Sequence, residues 1–220
     1  MATTLDFHDD IAVLTLGEDE NRFSPAVLES IDEHLDRAES AARGLVTVGS
    51  GKFYSNGLDL EWLLANGDKA DAYVEQVQEL FVRILTFPLP TVAGVNGHAF
   101  GAGAMFALAH DYRLMREDRG YYCFPEIDIN IPFTAGMAAL IQAKVTPQTA
   151  VTAMTTGHRY AGPEAVAAGL VDAVADENDI VSGALDRLKP LVGKDSSTLG
   201  AIKSTMFRSV TEALRQGRTR

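Results

Sequence analysis

Residues 94–115 read GVNGHAFGAGAMFALAHDYRLM. Gly and Ala fill positions 101–104, and an apolar segment follows at once. Small residues let another group approach the main chain closely. The stretch is entered from "FPLPTVAGVNG" (87–97), a Pro-marked turn into a buried strand. Its pattern predicts a helix over about 102–110 and a strand at "YRLM" (112–115). Strand, small-residue turn, helix and strand make an α/β pattern, and the turn is where a ligand could meet backbone.

The same alternation extends outward. "IAVLTL" (11–16) is apolar and β-rich, and reads as a strand. "SPAVLESIDEHLDRAES" (24–40) opens with Ser24 as N-cap and Pro25 at N1, then turns helical. "GLVTVGSG" (44–51) is a short buried strand running into glycines. "FYSNGLDLEWL" (53–63) reads as a strand end, a Gly turn and a helix start; a brief helix is expected over 59–65 and a longer one over 68–86. "YYCFPEIDI" (121–129) holds another strand, and from about 134 the chain reads mostly helical. Buried strands alternating with helices predict a largely parallel sheet. The helical last third either covers that sheet or reaches a neighbour.

Composition narrows the function. The chain has 220 residues, 46% apolar and 22% charged, as expected for one globular domain or one domain with a helical tail. A net charge of −11 argues against nucleic acid as a partner but leaves room for an anionic small ligand in a locally positive pocket. The single cysteine, Cys123, excludes an internal disulfide and a Cys zinc cluster. No pair among His8, His34, His98, His110 and His158 has metal-ligand spacing, so no metal is expected. No apolar run reaches the ~18 residues of a membrane span. The N-terminus lacks the basic and apolar regions of a leader, "GRTR" at the end is no peroxisomal address, and the cytoplasm is the expected location.

Three familiar motifs fail. "VTVGSGKF" (46–53) lacks the P-loop spacing, and Phe53 stands where Ser or Thr would hold magnesium. "GAGAMF" (101–106) places Phe106 at the third glycine of a dinucleotide fingerprint. No G-x-S-x-G elbow is present. What survives is a pair of strand–turn–helix segments, at 53–63 and 94–110, each with free backbone N–H groups at a helix N-terminus. Converging, they would form an oxyanion hole; otherwise they are two turns that need glycine.

"FYSNGLDL", "TVAGVNGHAFGAGAMFALAHDYRLM", "FPEIDINIP" and "TGHRYAGPEAVAAGLVDAV", in this order and spacing, resemble the crotonase, or enoyl-CoA hydratase/isomerase, superfamily over about residues 11–175. "SNGLDLEWL" and "HDYRLMREDRGYYCFPEIDINI" look most like its Δ3,Δ2-enoyl-CoA isomerases of the plant-peroxisomal type. The resemblance implies an α/β fold of ββα turns spiralling into two roughly perpendicular sheets flanked by helices. It implies a spiral core over 1–175 and a C-terminal helical trimerisation region over 176–220, assembling as a homotrimer or hexamer. It implies an acyl-CoA thioester as substrate and no cofactor, coenzyme A being part of the substrate.

Carried over by position, the oxyanion-hole amides are those of Leu58, after Gly57, and Ala102, between Gly101 and Gly103. Ser55, Asn56, Gly57, Gly101 and Gly103 line the substrate, and Lys203 in "AIKSTMF" stands where relatives often hold a lysine near CoA phosphates. Hydratases of the family use two glutamates. Here the first position is Met105, which transfers no proton, and the second is Glu126. One carboxylate suffices to move a double bond from C3 to C2, by taking a proton from C2 and returning it at C4. The expected enzyme is therefore an enoyl-CoA isomerase of fatty acid metabolism with Glu126 as its proton shuttle. The alternatives are hydration, thioester hydrolysis, decarboxylation, or a non-catalytic acyl-CoA binder. In a strand, Asp128 would share a face with Glu126, as a second acid or as a solvated loop residue. His98 either touches the ligand or is a satisfied polar residue at a turn. Asp59 and Glu61 cap or flank the helix near 58. Trp62 and Phe100 either wall the acyl channel or pack in the core.

Overall fold

A computed structural model describes residues 3–216. The "GRTR" end lies outside them. The strands are β1 (Thr4–His8), β2 (Ile11–Thr15), β3 (Gly44–Val48), β4 (Phe53–Ser55), β5 (Thr91–Val95), β6 (His98–Phe100), β7 (Tyr112–Arg116), β8 (Tyr122–Cys123) and β9 (Ala173–Ala175). They form a larger sheet in the order β1-β2-β3-β5-β7-β9 and a smaller one in the order β4-β6-β8. Every pairing within both sheets is parallel except β1 with β2.

The interleaving reveals the repeat. β3, β5 and β7 are neighbours in one sheet, and the strands that follow them, β4, β6 and β8, are neighbours in the other. Each pair then leads toward a helix: α2 (Leu60–Ala65) with α3 (Ala70–Leu85), α4 (Ala102–Ala109), and, after a loop, α5 (Ala135–Lys144). The chain thus climbs one ββα turn at a time. Both faces of the larger sheet are covered, which is why "GLVTV" and "TVAGV" are buried end to end. Ala12, Leu14, Leu45 and Ala93 face the main core with α1 (Pro25–Ala41), α3 and α4. Ile11, Val13, Val46 and Val92 face a second cluster closed by Ile180, Ala184 and Leu188 of α8 (Ile180–Leu188).

Local signals explain the helices that flank the spiral. Ser24 accepts a hydrogen bond from Val27 N, with Pro25 in the first turn, as its residue type predicts. Leu28, Ile31, Leu35 and Ala38 then make the buried stripe of α1. α4 differs, because all of its residues are buried. Its far end is held by a polar chain through the core. Tyr54 OH donates to Thr47 Oγ1 (2.7 Å), Thr47 to His110 Nε2 (3.0 Å), and His110 Nδ1–H to Phe106 O (2.9 Å). Burial pushes the His110 pKa down to about 3, so the imidazole is neutral, as this chain of donors requires.

The region after 134 is mostly helical, as expected; after α6 (Pro147–Thr156) and α7 (Gly162–Ala167), β9 adds one short strand beside β7. Its three residues carry no alternation of their own and become a strand by pairing. β1, too, joins the sheet only as an antiparallel edge. α8 closes the sheet, while α10 (Arg208–Arg215) packs on α5 and α3 of its own chain, with Gly136 directly under the Leu214 backbone. Of the last three helices, α9 (Ser196–Met206) stands largely outward, burying Lys203 alone. No helix among the described residues is long and apolar enough to cross a membrane.

Because α4 is buried on every side, its core contacts should carry much of the stability. Phe106 packs edge-on to Phe23 and His110 and stacks on Tyr54. Phe106→Ala is expected to cost about 3–5 kcal/mol, read as a lower midpoint in urea unfolding.

Candidate active site

The turns after β4 and β6 meet. Gly57 sits so close to α4 that a Cβ on it would lie 2.8 Å from Ala102 N and 3.0 Å from Gly103 N. Gly57 (φ 81°) and Gly101 (φ 52°) occupy left-handed backbone, which glycine adopts without strain. Gly103 faces the Ser55 carbonyl at a distance that admits no side chain. So the sequence's two small-residue turns do converge, and backbone packs on backbone between them.

Two amides are left over at this junction. Ala102 opens α4, so its N–H has no intrahelical acceptor, and Gly101 supplies no side-chain cap. The Leu58 N–H has no acceptor among the described residues. Its neighbours on either side are spoken for: Gly57 N donates to Ser55 Oγ (3.1 Å) and Asp59 N to Tyr73 OH (2.8 Å). Asp59 caps α2 through Trp62 N, as expected.

Glu126 completes the cluster. A Cβ on Gly101 would lie 3.3 Å from Glu126 Oε1. Glu126 is only 8% exposed, and it is the one buried carboxylate among the described residues. Its Oε2 has no hydrogen-bond partner among them. Burial raises the pKa from 4.5 to about 7. Beside it opens a cavity of about 320 Å³ walled by Ile127, Asn130, Ile131, Pro132, Phe133 and Met154. Met105, one turn into α4, is fully buried and brings no second acid.

Several residues take other places than expected. Glu126 is not on a strand: β8 ends at Cys123, and Asp128 N and Ile129 N both bond Pro125 O in a turn. Strand alternation therefore does not relate Asp128 to Glu126, and Asp128 is an exposed loop residue against Gly157. Ser55 is sealed in the core. Its Oγ donates to Asn21 O (2.7 Å) and accepts from Gly57 N, so the side chain positions the turn rather than lining the substrate. Asn56 is half-buried and tied through its N–H to Glu20 O (2.8 Å). Lys203 is not available to CoA phosphates. It is 4% exposed, and its Nζ donates to Leu89 O (2.8 Å) and Asp111 Oδ2 (2.6 Å). His98 lies at the far end of β6 among Phe53, Phe100 and Tyr121, with a buried, unpartnered Nδ1. Burial, then Lys52, Arg119 and Arg159, push its pKa down. Trp62 packs on Tyr73 at the core's edge, and Phe100 lies under the Arg159 guanidinium.

The sequence reading missed the strap that shapes the first turn. Asn21, at φ 49°, donates from Nδ2 to Gly17 O, Phe53 O and Tyr54 O, and accepts from Ser55 Oγ. Phe23 N then donates to Gly57 O (2.8 Å), and Tyr73 OH to Phe23 O (2.7 Å). The available signal was an Asn in a turn-rich stretch, a residue that tolerates left-handed backbone.

A sequence profile described as enoyl-CoA hydratase/isomerase matches residues 6–220. Enoyl-CoA delta isomerase 3 of Arabidopsis thaliana is 41% identical over 184 residues, covering 80% of this chain and 77% of its own. The peroxisomal enoyl-CoA delta isomerase 2 of the same plant is 38% identical over 187 residues, covering 80% and 78%. The crystal structure of a probable enoyl-CoA hydratase from Mycobacterium tuberculosis superposes with a TM-score of 0.92 over 99% of this chain and 93% of that one. At 24% identity this likeness is one of fold.

Two measurements follow from the site. Between pH 4.5 and about 7 the folded chain holds a proton on Glu126 that the unfolded chain has lost. Stability is therefore expected to fall as pH rises through that window, by on the order of 3 kcal/mol, and Glu126→Gln should remove the fall in urea titrations across it. Lys203→Met strands Asp111 and should cost about 3 kcal/mol in the same assay.

Proposed function

The chain belongs to the enoyl-CoA hydratase/isomerase family, and from that premise we propose that it is an enoyl-CoA isomerase of fatty acid metabolism, moving the double bond of a 3-enoyl-CoA to the 2-enoyl position. One observation carries the reading: the site holds a single buried carboxylate, Glu126, with Met105 where a second acid would stand.

In this mechanism the thioester oxygen lies against the Leu58 and Ala102 N–H groups. Glu126 takes a proton from C2, and the electrons spread over a dienolate whose charge rests on that oxygen. The same carboxyl then returns its proton at C4, leaving the double bond between C2 and C3. The carboxylate ends as it began, and no electrons leave the substrate, so the step calls for no redox partner. Burial supports the role of Glu126, because a carboxyl with a pKa near 7 is a stronger base than one in water and still ionises at neutral pH. The unpartnered first-turn N–H of α4 supports the oxyanion site, since its free donor and the helix dipole both favour negative charge. The mostly apolar lining of the cavity beside Glu126 suits an acyl chain. Assembly as a trimer or a pair of trimers belongs to the same reading by family membership. Light scattering reading a single chain mass would remove that part.

Purified protein incubated with a 3-enoyl-CoA should yield the 2-enoyl isomer at unchanged mass. Glu126→Gln is expected to lower kcat/KM about 1000-fold. The pH profile of the unaltered protein should rise to a plateau above about 7, since Glu126 must be ionised. Ala102→Pro removes the donor at a helix position where proline fits, and should lower kcat about 100–1000-fold with an unchanged circular dichroism spectrum. Gain of water on a 2-enoyl-CoA would assign hydration instead.

A further inference from the structure

The direction in which the Leu58 N–H points is set from outside its own turn. The Gly57–Leu58 peptide bond is trans, so the Gly57 carbonyl and the Leu58 N–H point opposite ways. Gly57 O accepts from Phe23 N (2.8 Å). Holding that carbonyl on one side of the turn therefore directs the Leu58 N–H to the other. Glycine at 57, at φ 81°, gives the turn little preference of its own for this orientation. The clamp has to come from elsewhere.

One side chain completes it. Tyr73, in the first turn of α3, donates from its hydroxyl to Phe23 O (2.7 Å). The same oxygen accepts from Asp59 N (2.8 Å). It thus holds the residue after Leu58 directly and the residue before it through Phe23, without bonding Leu58 itself. The two roles cannot be exchanged, because a backbone carbonyl only accepts and an N–H only donates. Tyr73 is 1% exposed, and burial raises its pKa to about 12, so the hydroxyl keeps its hydrogen at neutral pH. The ring is held as well, packed on Trp62 with centroids 4.9 Å apart.

We propose that Tyr73 is a positioning residue of the candidate active site, its hydroxyl fixing the plane of the Gly57–Leu58 peptide so that the Leu58 N–H faces the substrate carbonyl. This rests on the oxyanion role proposed for that amide. Tyr73 acts through the backbone on a donor that matters most when charge develops on the thioester oxygen. Its loss is therefore felt in kcat more than in KM.

Tyr73→Phe keeps the ring and removes the hydroxyl. With a 3-enoyl-CoA its kcat is expected to fall about 10–100-fold, while KM changes by less than about threefold. Infrared spectra of bound 2-enoyl-CoA supply a readout independent of turnover, since hydrogen bonds to the thioester oxygen lower its C=O stretching frequency. The unaltered protein should show that downshift, and Tyr73→Phe should lose part of it. Asp195→Ala, which uncaps α9, is the control for lost stability. It should lower the midpoint in urea and leave both readouts unchanged. Full kcat in Tyr73→Phe would overturn the role of Tyr73 and keep the isomerase reading. A full downshift in Tyr73→Phe, equal losses in Asp195→Ala, or a Tyr73→Phe chain that does not fold would each make the hydroxyl a stability feature and overturn the proposal. A downshift that Tyr73→Phe loses, in a protein that turns over no 3-enoyl-CoA, would keep the positioning role and remove the isomerase reading. Turnover by the unaltered protein without any downshift would remove the oxyanion role of Leu58, and this inference with it.

Discussion

Backbone lies directly on backbone where the Gly57 turn meets the first turn of α4. Neither Gly57 nor Gly103 has room for a side chain there, since the Ala102 amide and the Ser55 carbonyl fill the space. Parallel pairing of β4 with β6 brings the two turns to the same edge of the smaller sheet. The strap at 20–23 then fixes the first turn by bonding Asn56 N, Ser55 Oγ and Gly57 O. Loosening this contact would separate the Leu58 and Ala102 amides, so the chemistry proposed for them depends on a packing fit before it depends on any side chain.

The remainder of the fold serves to hold that contact rigid. α4 is buried all round, with its N-terminus at the site and its C-terminus locked by the Tyr54–Thr47–His110 chain. Tyr122 OH bonds Ala104 O within the same helix, tying β8 to α4. β8 in turn leads to the turn that carries Glu126. The smaller sheet therefore places all three candidate-site turns, after β4, β6 and β8, in one neighbourhood. Hydrophobic burial does most of this work, and it has a chemical consequence: the environment that stabilises the core around Glu126 also withholds water from its carboxylate and raises its pKa.

The C-terminal helices show how one segment can do several jobs. α8 seals the outer face of the larger sheet and α10 covers α3 and α5. α9 is pinned by Lys203, whose ion pair with Asp111 reaches back to the start of β7. That pin leaves the helix raised over a cleft that Lys144 lines. Lys144 and Lys203 lie close together, yet one is neutralised by a carboxylate and the other is not.

The residue pattern by itself determined the local elements and the kind of turn joining them. Ser24 with Pro25 started α1, the glycines at 57 and 101 marked the turns, and continuous apolar runs marked strands covered on both faces. These features act within a few residues, so they are legible without a partner. Motif order likewise pointed to Leu58, Ala102 and Glu126. Only the tertiary structure decided what depends on distant segments. β9 is a strand because β7 lies beside it. Ser55 is a positioning group because Asn21 and Gly57 enclose it. Lys203 is a core pin because Asp111, 92 positions away in sequence, meets it. Burial and charge pairing are properties of the assembled surroundings, and no stretch of sequence carries its own dielectric.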